Sequence, residues 1–78
     1  MLRPRYDLTA SGEKMKRIRM NKSITVRQVM DYLGLTSMQA IYKWESGKCY
    51  PQANNLLAIA KLYQVSPFEL MAEEVPRQ

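Results

Sequence analysis

The sequence predicts an all-α domain of five short helices packed around one core. Three observations lead there. The chain has 78 residues, which suits a single small core. Its apolar residues recur at spacings of three and four, the period of a helix buried on one side, and never alternate as a half-buried strand would. Capping residues and glycines punctuate that pattern at short intervals. With 46% apolar residues, the chain carries too much hydrophobic side chain to stay disordered.

The elements follow in order. Residues 1–8 are expected to form a flexible arm, because Pro4 between Arg3 and Arg5 opposes early helix. A first helix should start near Thr9 or Ser11, either of which can cap it. Met15 and Ile18 lie one turn apart on its inner side, with Leu8 and Arg19 near the same stripe, and it should fray around residues 21–23. Thr25 caps the second helix. Val26, Val29, Met30 and Leu33 form its apolar stripe, Arg27, Gln28 and Asp31 face out, and Gly34 supplies the residue just past its end. Leu35 then plugs the core and Ser37 caps a third helix. Met38, Ile41 and Trp44 are its inward side; Gln39, Tyr42, Lys43 and Ser46 are its outward side. Gly47 ends that helix, and Pro51 stiffens the loop beyond. A fourth helix carries Ala53, Leu56, Leu57 and Ala60 as its stripe, with Ile59 flanking and Leu62 nearly opposite. Ser66-Pro67-Phe68-Glu69 combines a serine cap, a first-turn proline and a capping-box glutamate, and so opens a fifth helix. The globular part is thus residues 9–71, with residues 72–78 expected as a flexible tail.

Residues 25–51 read as two short helices joined by a tight turn, the second with a polar outer face. That is a helix-turn-helix, a device that sets a helix into the major groove of DNA. The charge agrees: 12 Lys and Arg against 7 Asp and Glu leave +5 at pH 7, a balance suited to a polyanion. Without histidine, and with its carboxylates scattered, the chain offers no acid–base pair and no metal or cofactor site, so an enzyme is not expected. Cys49 is the only cysteine, which rules out an intrachain disulfide and fits a reducing cytoplasm. No apolar run approaches the ~18 residues of a membrane span, and the first residues lack the apolar stretch of a secretory signal. A cytoplasmic protein without a membrane partner is the expectation.

MKRIR, the stretch from Thr25 to Gly34, AIYKWESG, Pro51, NNLLAIAKLYQVS and FELM occur in a familiar order. Through them, roughly residues 8–71 resemble the phage-repressor and Cro family of DNA-binding domains, the xenobiotic-response-element type. The resemblance implies a five-helix, lambda-repressor-like fold with a central helix-turn-helix. It also implies dimeric binding to an inverted-repeat operator and transcriptional regulation, with repression the favoured mode. Two departures stand out. Val26 occupies the second position of the second helix, where the family often has glutamine. The turn between Gly34 and the third helix is one residue longer than usual, counting back from Trp44 and Glu45.

The third helix, Ser37 to about Ser46, is the candidate recognition element. Gln39, near its N-terminus, can bond to adenine N7 and N6; Lys43 can reach guanine O6 or N7, or a phosphate; Tyr42 can pack on a thymine methyl or bond to a phosphate. Met38 and Ala40 offer only apolar contact. Thr25 with the free amides of the second helix, Arg27, and Lys48 beyond the third helix are candidate backbone contacts. Most of Lys14, Lys16, Arg17 and Lys22 read as a solvated face, and Arg3 and Arg5 as an arm within reach of DNA. Arg19 and Glu45 fall near inward stripes, where an unpaired charge is costly. They are expected to pair across their helices, as the resemblance also implies, and so to hold the third helix at its angle. Trp44 reads as core rather than as a base-stacking ring, and Cys49 as an incidental loop thiol. Leu62, Phe68, Leu70 and Met71 are candidate dimer contacts. A symmetric pair would set two recognition helices about one DNA turn, roughly 34 Å, apart. The competing reading keeps the scaffold and changes the partner: an antitoxin, or a module that grips another protein.

Overall fold

The computed structural model describes residues 2–75, so the last three residues of the expected tail lie outside it. A carboxylate, not a hydroxyl, starts the first helix. Asp7 holds an extended backbone and its Oδ1 accepts from the Ala10 amide at 2.9 Å, so α1 runs Leu8–Asn21. A negative side chain there meets both the unpaired amides and the positive end of the helix dipole. Thr9 and Ser11, the expected caps, lie inside α1. Thr25 begins α2 (Val26–Leu33) with a reciprocal box: its Oγ1 accepts from the Gln28 amide at 3.1 Å, and its own amide donates to Gln28 Oε1 at 2.8 Å. Gly34, at φ +72°, closes that helix in the left-handed region.

Met38 occupies the cap position of α3 (Gln39–Glu45), where Ser37 was expected. Ser37 Oγ instead accepts from the Gln39 amide at 3.1 Å, from one residue further back. α4 spans Ala53–Tyr63, and the expected fifth helix is one 3₁₀ turn, Pro67–Leu70, opened by the Ser66–Glu69 capping box. Four α-helices and a 3₁₀ turn make up the fold, and no strand occurs among the described residues beyond a single bridge between Tyr6 and Glu73.

Met15, Val26, Val29, Ile41, Trp44, Ile59, Ala60, Tyr63 and Leu70 form the core. The inward stripe of α4 is therefore Leu56, Ile59, Ala60 and Tyr63, while Leu57, expected inside, is 57% exposed. This helix is apolar on several sides, and tertiary packing decides which side is buried. Leu70, expected at a dimer surface, is fully buried because the 3₁₀ turn aims it inward. Leu62 and Met71 are half-buried against the core, and Phe68 is 76% exposed.

The segments expected to be a loose arm and tail meet each other. The Asp7 amide donates to Ala72 O and the Glu74 amide to Arg5 O, both at 2.8 Å. Ser11 is completely buried beneath them, its Oγ accepting from the Ala72 amide at 2.8 Å. Lys14 Nζ donates to Met71 O at 3.2 Å, and Tyr50 Oη to Tyr6 O at 3.3 Å. The start of α1 and the end of the 3₁₀ turn lie side by side, so backbone groups that would otherwise need water pair with one another.

Two glycines let α1 close on the end of α3. A Cβ on Gly12 would sit 2.5 Å from Trp44 O and 2.9 Å from Glu45 O. Gly47 has φ +75°, and a Cβ there would lie 2.8 Å from Thr9 Cα. Gly12→Ala should overpack this contact and destabilise the domain by roughly 1–3 kcal/mol. Urea unfolding would show a lower midpoint with an unchanged slope; an unmoved midpoint would mean the two backbones do not meet there.

Candidate nucleic-acid interface

The outward side of α3 is built by what its inward side buries. Ile41, Trp44 and Glu45 are buried, which turns Gln39, Tyr42, Lys43 and Ser46 to solvent. Tyr42 is 53% exposed. Met38 and Ala40 are half-buried against the core, so only part of each remains available on that face.

The angle of α3 rests on a buried ion pair. Arg19 Nε donates to Glu45 Oε2 at 2.7 Å and Arg19 Nη2 to Glu45 Oε1 at 3.0 Å, a two-pronged contact between side chains only 10% and 7% exposed. Arg19 Nη1 also donates to Ile24 O at 2.9 Å. The hydrogen bond to Glu45 holds the guanidinium pKa above its ordinary value, against the opposing effect of burial. Tyr63 of α4 lies in the same field. Burial, and secondarily the Glu45 carboxylate, push its phenol pKa well above the ordinary value, while Arg19 works the other way.

Two grooves flank Tyr42. Lys16, Gln39, Tyr42, Lys43, Ser46 and Lys48 line one of about 570 Å³, together with Val26 and the Arg19–Glu45 pair. The other, about 530 Å³, runs along the start of α2, lined by Met20, Ser23, Thr25, Arg27, Met38 and Tyr42 among others. Glu45 is the sole carboxylate lining either groove, and Arg19 neutralises it. Lys16, Arg27, Lys43 and Lys48 therefore leave this side positive. Val26 is buried, so the position where glutamine was the family's habit serves packing, and Gln28 is occupied in the cap.

The sequence-derived residues thus divide. Thr25, Arg27, Ser37, Gln39, Tyr42, Lys43 and Lys48 are exposed, and all but Ser37 line one of the two grooves. Arg3 and Arg5 do not line them. They line a separate apolar cavity of about 570 Å³ with Tyr6, Tyr50, Leu56, Pro67, Phe68 and Met71. Lys16, read as one charge in a solvated run, is exposed and also lines the first groove. Its signal was its place three residues before Arg19, which points that flank of α1 at α3. Cys49 is exposed. Among the described residues no helix is long and apolar enough to cross a membrane.

Arg19→Met should strand the buried Glu45 carboxylate and cost about 3–5 kcal/mol, read as a lower melting temperature. Replacing both partners by apolar residues should restore most of that; a single variant as stable as the parent would remove the pair from the account. Tyr63 gives a pH signature. Its folded pKa is raised, so above about pH 10 the unfolded chain loses this proton first and stability falls as pH climbs towards the folded value. Tyr63→Phe should blunt that alkaline loss, and an identical loss in both proteins would contradict the assignment.

Comparison with known proteins agrees with this geometry. The chain matches the helix-turn-helix family over residues 15–70. It is 40% identical over 63 residues to the HTH-type transcriptional activator BcrR of Enterococcus faecalis, a match that takes in 81% of this chain and 30% of that protein. The P22 c2 repressor, solved with synthetic operator 9T, superposes with a TM-score of 0.70 at 33% identity, over 77% of this chain and 89% of the repressor. The restriction-modification controller C.AhdI of Aeromonas hydrophila shares the fold at a TM-score of 0.73 and 23% identity, over 82% and 96% of the two chains. The matched stretch holds every core residue from Met15 to Leu70 and both helices of the motif. The chain belongs to the helix-turn-helix family of Cro/C1 type, a family of DNA-binding transcriptional regulators.

Proposed function

We propose that this chain binds double-stranded DNA sequence-specifically as a homodimer on an inverted repeat, with α3 in the major groove, and represses transcription where its site overlaps a promoter. The observation that carries the reading is the outward face of α3, polar and cationic, set between two grooves whose single carboxylate is neutralised from within. Gln39 bonds to adenine, Lys43 to guanine or a phosphate, and Tyr42 packs on a thymine methyl. Met38 and Ala40 add apolar contact through their exposed parts. Thr25 and Ser37 each accept a backbone bond, which leaves their hydroxyl protons free to donate to phosphates. Arg27 and the first amides of α2 hold one strand, and Lys48 the other side of the groove.

The operator complex of the 33% identical P22 c2 repressor supports this docking. The activator named among the relatives accords with a sign of regulation set by where the site lies. For the dimer, Phe68 on the 3₁₀ turn and Leu57 on α4 are exposed apolar side chains, and the half-buried Met71 lines a cavity with Phe68. A twofold partner would cover them, with Leu57 taking the place of Leu70. With one cysteine and so no intrachain disulfide, the chain suits a reducing cytoplasm, where we place it.

Fluorescence anisotropy tests the reading, using a duplex selected by the protein from a random library, with unrelated duplex as competitor, at two salt concentrations. The selected duplex should stay bound under competition and weaken as salt rises. Gln39→Ala should shrink the gap between selected and unrelated DNA by about 1–3 kcal/mol. Lys48→Ala should weaken both alike. Failure to enrich any sequence, or complete displacement by unrelated duplex, would favour a module that grips protein instead.

A further inference from the structure

We infer that Lys16 seats a DNA phosphate, making α1 a third backbone-binding element beside the start of α2 and the loop carrying Lys48. The inference rests on the proposed function and adds a contact to it from outside the helix-turn-helix itself. Residues 14–19 of α1 look like one basic run, but the fold sends their charges in different directions. Lys14 is tied to the Met71 carbonyl. Arg19 is buried against Glu45. Arg17 borders a separate groove with Glu13 and Asn21, which Lys16 also borders, but it does not reach the groove that α3 faces. Lys16 alone of the exposed basic side chains on α1 lines that groove, together with Lys43 and Lys48.

Its place follows from helix geometry. Residues three apart are neighbours on a helix surface, so Lys16 sits one turn before Arg19 on the flank bolted to α3. Gly12, a further turn back, is where the α1 backbone presses on the last carbonyls of α3. Lys16 is exposed, and among the described residues no carboxylate lies within salt-bridge distance of it. Three ammonium groups around a concave surface, with the one carboxylate in it already neutralised, concentrate positive potential where a phosphate would enter. The long flexible lysine stem suits a point-charge contact that fixes register without reading sequence.

The test is the salt dependence of binding for Lys16→Gln and, as a control of equal charge loss, Arg17→Gln. Binding of a selected and an unrelated duplex is followed by anisotropy from about 0.05 to about 0.3 M salt. Lys16→Gln removes one phosphate contact from each protomer of the bound dimer, so it should weaken both duplexes by about thirtyfold at 0.15 M salt and make the log–log slope shallower by about 1.8. Lys16→Arg should restore the parent slope, and Arg17→Gln should keep it. Melting temperatures equal to the parent's would show that the effect is not one of folding. A parent slope in Lys16→Gln, or an equal change in Arg17→Gln, would overturn the contact while leaving the proposed function intact. An unsubstituted protein that binds neither duplex would overturn both.

Discussion

One buried guanidinium holds the two helices of the helix-turn-helix in register. Arg19 reaches from α1 to the Glu45 carboxylate at the end of α3 and to the Ile24 carbonyl just before the Thr25 cap of α2. Taking two charges out of water costs several kcal/mol each, and only good geometry offsets it. Here the pair is two-pronged, and a third donor is satisfied by backbone. Apolar replacements could make an equally stable core, but they would carry no directional link among α1, the α2 start and α3. The contact at Gly12 adds a steric stop on the same side, since it brings the α1 backbone onto the carbonyls of Trp44 and Glu45. Attraction at Arg19 and repulsion at Gly12 together leave α3 little freedom to pivot.

The molecule consequently presents two surfaces that share no lining residue. One carries the grooves beside Tyr42, polar and cationic. The other gathers the paired chain ends, Tyr50, Leu56, Pro67 and Phe68 around an apolar cavity. The pairing of residues 5–7 with 72–74 accounts for the position of Arg3 and Arg5. An arm fastened at Tyr6 and Asp7 places its arginines over the cavity. The buried Ser11 hydroxyl, 61 residues from its partner Ala72, is part of the same fastening. In the proposed function the cationic surface engages DNA and the apolar one is left for a second copy.

Much of this was legible in the sequence because it is written locally. The cap at Thr25 and the Ser66–Glu69 capping box depend on residues a turn apart, and Gly34 on its own left-handed backbone, so short-range chemistry suffices, while the return bond from Thr25 to Gln28 went unread. The outward face of α3 followed from a period with one reading. α4 did not, because apolar residues on several of its sides admit two registers, and only tertiary packing, which buries Ile59, Ala60 and Tyr63, selects one. Asp7 was hidden by Thr9 and Ser11, equally good caps on local grounds; what separates them is the long-range demand on Ser11. The expected fifth helix stops at one 3₁₀ turn because Met71 returns to extended backbone (φ −107°, ψ 148°) and its neighbours join the pairing with residues 5–7. Lys16 looked like any surface lysine until the ion pair three residues on showed which way that flank faces.

In the proposed function the face built on α3, and not the apolar face, meets DNA. An amide-resolved NMR titration with a selected duplex addresses it directly, because each backbone amide reports its own surroundings. Perturbations should cluster at residues 25–27, 37–43 and 48, while amides around Tyr50 and Pro67 shift little at a fixed oligomeric state. A map centred on the apolar cavity, with α3 unmoved, would contradict the account.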